Sequence, residues 1–124
     1  LAVVTGTLRQ WYCDPKELNR EEGLGRVVDP DDFDKPLTVR IMPWRQIVKL
    51  LSAFGGEDQQ VVDIFKNFAE PWQKDLVRDY QKTAPEEPVV MLGNRIVDGH
   101  HRAVAAYKAK RDLVFVDLQE LGYT

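Results

Sequence analysis

The run Asp98-Gly99-His100-His101-Arg102 gathers a carboxylate, a residue without a side chain, two imidazoles and a guanidinium into consecutive positions. A strand-like segment, Arg95-Ile96-Val97, leads into it, and an alanine-rich helical segment from Ala103 to Tyr107 leads out. That order builds an anion site. The first amides of a helix lack an intrahelical acceptor, the macrodipole puts partial positive charge there, and Gly99 lets a ligand approach the backbone closely. Arg102 adds a permanently charged fork of donors suited to phosphate. Asp98 is placed to cap the helix, or to hold Mg2+, which prefers few carboxylates together with phosphate oxygens. His100 and His101 stand about 100° apart around a helix, so one faces a ligand while the other packs or orients it.

Other polar residues are weighed against this run. Glu86 and Glu87 precede a strand at residues 88–92 that turns at Gly93-Asn94, and simple antiparallel register places residue 87 near residue 100. The hairpin could thus bring Glu87 toward Asp98 as a second carboxylate, against the competing reading of the pair as a solvated acidic loop. Asp29, Asp31, Asp32 and Asp34 do not fit a Ca2+-loop spacing and read as a solvated turn. Lys35, Arg40 and Arg45 read as surface charge, and Cys13 as a packed thiol that no local pattern activates.

The elements that must position the box follow from periodicity. Residues 2–12, rich in Val, Thr, Leu and aromatics, are expected to form a strand or hairpin arm with Gly6 as a bulge. Residues 13–36, broken by Pro and Gly, are expected to be a loop with a short strand near residues 26–28. Residues 37–41 alternate apolar and polar as in a half-buried strand. Trp44, Ile47, Val48, Leu51 and Phe54 form a helical stripe between Pro43 and Gly55-Gly56. Val61, Ile64, Phe65 and Phe68 predict a second helix, and Trp72, Leu76 and Tyr80 a third reaching about Gln81. Their aromatic residues are expected to be core. A hairpin at residues 88–97, the box helix and a closing strand at residues 113–118 complete the order. Ala103, Ala106, Tyr107 and Lys110 share one side of the box helix, and Lys108, Lys110 and Arg111 suit its C-terminal dipole.

Asp-Gly-His-His-Arg followed by Ala-x-x-Ala resembles the signature box of the ParB/sulfiredoxin superfamily, and the order of elements from about Leu37 to Leu118 is similar too. The resemblance implies an α/β fold with a small mixed sheet and packed helices, and a box that cradles nucleotide phosphates. Sulfiredoxins carry a catalytic cysteine in the box where this chain has His100, which argues against that activity. Partition ParB proteins have a Gly-Glu-Arg-Arg type box followed by a helix-turn-helix domain. This version of the box is more similar to those of ParB-like ATPases, nucleases and ADP-dependent free-serine kinases.

With 124 residues, of which 44% are hydrophobic, a single domain is expected across residues 1–124, with residues 1–36 as an N-terminal extension and residues 37–118 as its core. A net charge of -3 argues against broad non-specific DNA binding, since such domains are usually basic. A lone cysteine fits a reducing interior, and no run approaches the ~18 apolar residues of a membrane span, so the chain reads as soluble and cytoplasmic, without a membrane partner. It begins at Leu1 rather than Met, so its missing flanks carry no argument. The expected function is binding of ATP or another nucleotide with Mg2+ for phosphoryl transfer or hydrolysis, as an ATPase, nuclease or small-molecule kinase. Asp98, His100 and Glu87 would then do the chemistry, Gly99, His100, His101 and Arg102 would hold the nucleotide, and Asp98 would bind the metal. The alternative is a non-enzymatic, nucleotide-gated interaction module of a plasmid or phage system acting on protein or DNA partners.

Overall fold

Gly93, at φ +64°, folds two apolar runs back on each other, as a two-residue turn of this composition demands. The computed structural model describes residues 4–12, 28–53 and 59–124. Within them the chain runs β1 (Thr5–Gly6), α1 (Leu8–Trp11), a 3-10 turn (Pro30–Asp32), β2 (Leu37–Thr38), β3 (Arg40–Met42) and a 3-10 turn (Trp44–Lys49). It continues through β4 (Leu51–Ser52), α2 (Val61–Phe68), α3 (Pro71–Lys82), β5 (Val89–Leu92), β6 (Arg95–Asp98), α4 (His100–Lys108), β7 (Leu113–Asp117) and a 3-10 turn (Leu118–Leu121). The result is a mixed α/β protein with a five-stranded sheet ordered β3-β7-β5-β6-β4 and a two-stranded antiparallel pair, β1 with β2. β5 pairs with β6 antiparallel and with β7 parallel, while β4 joins β6 in parallel.

The central strands are buried on both faces, which is why Val89-Val90-Met91 reads as an unbroken apolar run rather than an alternation. Val89, Met91, Ile96 and Leu113 pack with Ala103 to Ala106 of α4, Val77 of α3 and Ile47. Val90, Val97, Val116 and Leu118 point the other way, onto Leu8, Tyr12, Val28, Phe33 and Leu37. The segment expected as an N-terminal extension thus supplies much of one core. Burying a Leu or Phe contributes about 1.5–3 kcal/mol each.

Several local expectations change. Leu8–Trp11 is a helical turn and not part of a strand, because Thr7 and Gln10 have capping-box spacing and the Gln10 side chain accepts from the Thr7 amide at 2.7 Å. Gly6 makes no bulge; it is paired with Leu37, and a side chain there would meet the Trp11 ring at 2.6 Å. The strand expected near residues 26–28 is absent at Val28, and Arg26 and Val27 lie outside the described residues, as does Cys13. Residues 37–41 do not form one strand: the chain crosses between sheets at Val39, and Ile41, on the edge strand β3, is 69% exposed. The helical stripe from Trp44 stops at Lys49, since Leu50 is extended and Leu51 is drawn into parallel pairing with Arg95; Phe54 lies outside the described residues. β7 ends at Asp117, leaving Leu118 to begin a 3-10 turn. Phe68 and Trp72 are 71% and 58% exposed, so they are not core.

Candidate functional site

β6 carries Asp98 at its C-terminal end, and the backbone must then turn sharply into α4. Gly99 makes that turn at φ +101°, as the helix N-cap, with no side-chain cap hydrogen bond. A β-carbon here would lie 2.9 Å from Val89 Cγ2 and 3.0 Å from Arg102 Nη2, so both conformation and space require glycine. Asp98 is therefore not the helix cap. Its Oδ2 accepts from the Tyr12 hydroxyl at 2.5 Å and from Arg102 Nη2 at 3.2 Å. Arg102 Nη1 donates to the carbonyls of Glu87, at 2.9 Å, and Pro88, at 3.2 Å. The guanidinium, one turn into α4, thus clamps the entry of β5 to the end of β6.

A register shift between Val90 and Met91 alters the simple arithmetic: Val90 faces Asp98, which moves the partner of residue 100 from 87 to 88. Glu87 nevertheless reaches the box. It lines one cavity of about 430 Å³ together with Tyr12, Asp98, Gly99, His100, His101 and Arg102. Its backbone carbonyl holds Arg102, while the residue itself is exposed. All the residues expected to act from the sequence are gathered here.

The histidines divide their surroundings as the helical angle requires. His100 Nε2 lies 2.9 Å from Ser52 Oγ, at the end of β4, and burial pulls its pKa from 6.5 down to about 4 against the opposing charge of Asp98. His101 Nε2 lies 3.3 Å from Gln73 Nε2, and its ring centroid is 5.8 Å from that of Trp72. Its pKa is also lowered, again by burial first. At neutral pH both are uncharged imidazoles, donors or acceptors rather than cations. The Tyr12 hydroxyl is held in its protonated form, its pKa raised by burial and then by Asp98.

Tyr12, Ser52 and Gln73 were not legible as site residues. They stand far along the chain from the box and carry no local pattern; only pairing and packing bring them in. The other polar candidates stay apart. Asp29 accepts from the Asp31 amide, Asp32 pairs with Lys35 at 2.5 Å and Asp34 with Arg9 at 2.7 Å, so these carboxylates are taken up by an amide and by cations away from the box. Arg40 pairs with Glu120 at 2.8 Å and Arg45 stacks over Trp44 at 5.4 Å, both consistent with surface charge. Among the described residues no group of His, Cys, Asp and Glu gathers as a metal cage, and no helix is long and apolar enough to cross a membrane. Asp98 and Glu87 are the carboxylates that share the box cavity.

Comparison with protein families, with curated proteins and with solved structures found no match to this chain.

Proposed function

We propose that the cavity at the start of α4 binds the phosphates of a nucleotide and that the chain is a ParB/sulfiredoxin-like protein transferring or hydrolysing a phosphoryl group. The observation that carries this reading is the cavity itself, about 430 Å³ against a helix start that no side chain caps, ringed by Asp98, His100, His101 and Arg102. Uncapped amides, a helix dipole and a guanidinium together favour a bound anion. The sequence order of hairpin, box, helix and closing strand supports the likeness to the superfamily.

In this reading the amides of the first turn of α4 hold phosphate oxygens, while Arg102 serves twice, keeping the cavity's shape through Glu87 and Pro88 and lending charge to the site. His100, kept neutral by burial, orients a phosphate or the attacking group through a hydrogen bond rather than by charge. His101 bounds the site under Trp72 and Gln73. Asp98, fixed by Tyr12 and Arg102, takes the proton of the attacking water or hydroxyl. Asp98 and Glu87, hard oxygen ligands in one cavity, fit a Mg2+ ion carried by the phosphates, and that ion would neutralise charge on the transferred group. Whether the acceptor is water, a small hydroxylated molecule or a phosphodiester distinguishes ATPase, kinase and nuclease.

Asp98→Asn tests the reading. Asparagine keeps the shape and an acceptor for Tyr12 and Arg102 but removes the charge. Phosphate release at saturating nucleotide and Mg2+ is expected to fall about 100-fold, the range for loss of a general base. Unchanged release in this variant sinks the catalytic role. Saturable binding without release in the wild type favours instead a nucleotide-gated interaction module, for which the exposed Phe68 and Trp72 beside the box offer a surface.

A further inference from the structure

A second cavity, of about 290 Å³, lies on the other side of the histidines. Its walls are Val61, Ile64, Phe65 and Phe68 of α2 and Val104 of α4, with Ser52, Gln73, His100 and His101 at its margin. It differs from the box cavity in chemistry, being mostly apolar with a few polar groups along one side. The two share His100 and His101 as a common wall, so an occupant of one lies next to an occupant of the other. The box cavity by itself lies inside the about 300–1,000 Å³ of ordinary ligand sites, near its lower end, and the second cavity adds an apolar compartment to it.

The core accounts for Val61, Phe65 and Val104, which pack in it, but not for Phe68. Val61 is the only fully buried side chain of α2, and Phe68 at its end is 71% exposed although it continues the helix's apolar stripe. Trp72, just beyond, is 58% exposed and lies against His101. Aromatic faces left open beside polar donors and acceptors are what a planar heteroaromatic ring requires: stacking for its face, hydrogen bonds for its edge. The Gln73 carbonyl accepts from the Glu70 amide at 2.8 Å, but its side-chain nitrogen carries a second N–H beyond the one toward His101, and the Ser52 hydroxyl shares its hydrogen bond with His100.

We propose that this apolar cleft between α2 and α4 seats the base of the nucleotide whose phosphates lie on the box, so that the ligand is gripped at both ends across the paired histidines. The inference rests on the phosphate reading above and adds the base subsite and its residues to it.

The test measures calorimetric affinity of the 124-residue chain for ATP, GTP, CTP and UTP and for inorganic tripolyphosphate, all with Mg2+, in the wild type, Phe68→Ala and Phe68→Tyr. At least one nucleotide is expected to bind about tenfold or more tighter than tripolyphosphate, a margin typical of stacking one base on an aromatic ring. Phe68→Ala, at an exposed position that leaves melting unchanged, is expected to remove that margin without altering tripolyphosphate affinity, and Phe68→Tyr to keep it. Equal binding of tripolyphosphate and every nucleotide to the wild type, or a margin unaffected by Phe68→Ala, overturns the base subsite while leaving the anion site standing. Binding of neither class by the wild type overturns the anion site and the subsite with it.

Discussion

Two kinds of helix start among the described residues treat their exposed amides in opposite ways. At Pro30–Asp32 the preceding residue, Asp29, turns its carboxylate onto the Asp31 amide at 3.0 Å, while Asp32 is tied to Lys35 and to the Tyr123 hydroxyl. Asp117 does the same for Leu118–Leu121, accepting from the Gln119 amide at 2.9 Å. At α4 the capping position is Gly99, and the neighbouring carboxylate, Asp98, faces away to Tyr12 and Arg102. The first kind of start satisfies itself and has no chemistry to offer. The second holds its carboxylate and its cation in place yet leaves the helix end to a cavity.

The sharpest way to break the contrast is to remove the clamp. Arg102→Ala takes one donor from Asp98, which keeps the Tyr12 hydroxyl, and frees the Glu87 and Pro88 carbonyls in a place where the Arg102 side chain is only 14% exposed. Loss of about 3 kcal/mol in stability is expected, the upper end of the range for leaving partly buried acceptors without their donor, read as a lower urea midpoint. Stability within error of wild type would mean that Arg102 is held for a ligand alone.

The largely buried ring of His100 gives a pH signature that the self-capped turns lack. Its folded pKa, about 4, lies below its ordinary 6.5, so between those values the unfolded chain takes up a proton that the folded chain refuses. Stability from this group is complete above about pH 6.5, falls as pH drops toward about 4, and levels off below, a span on the order of 3 kcal/mol. Chemical denaturation of the metal-free, nucleotide-free protein across this range should show a steeper fall in wild type than in His100→Gln. Parallel profiles would refute a buried neutral imidazole.

Smaller effects sharpen the comparison. Gly99→Ala forces a side chain into a left-handed backbone against Val89, and is expected to cost about 1–3 kcal/mol in thermal unfolding. Asp29→Ala removes a cap and nothing else from the site; about 1 kcal/mol is expected, with ligand binding untouched. A binding defect in Asp29→Ala would erase the distinction between the two kinds of helix start.

Much of the framework was legible because its signals are local. The hairpin over Gly93-Asn94, α2, α3, the box helix and the closing strand all follow from turn chemistry and from apolar periods, and each forms close to where those periods place it. So does the box. α1 was equally local, through the Thr7 and Gln10 spacing, but the aromatic and β-branched content around it favoured a strand reading. The stripe from Trp44 misled for another reason: a 3-10 turn and a strand can present Ile47 and Leu51 on much the same spacing as a helix, and only pairing with β6 decides between them.

What the sequence determined by itself is the turn that ends β6 and opens α4. Glycine at a positive φ, flanked by a strand period and a helix period, needs no distant partner to specify that geometry. What only the tertiary structure decided is who stands around it. Tyr12 on Asp98, Ser52 on His100, Gln73 on His101 and the backbone of Glu87 on Arg102 are contacts between residues far apart in the chain. They depend on strand order, on one register shift in the hairpin and on an N-terminal segment that covers one face of the sheet. Packing between elements sets those relations, and no spacing along a single element encodes them.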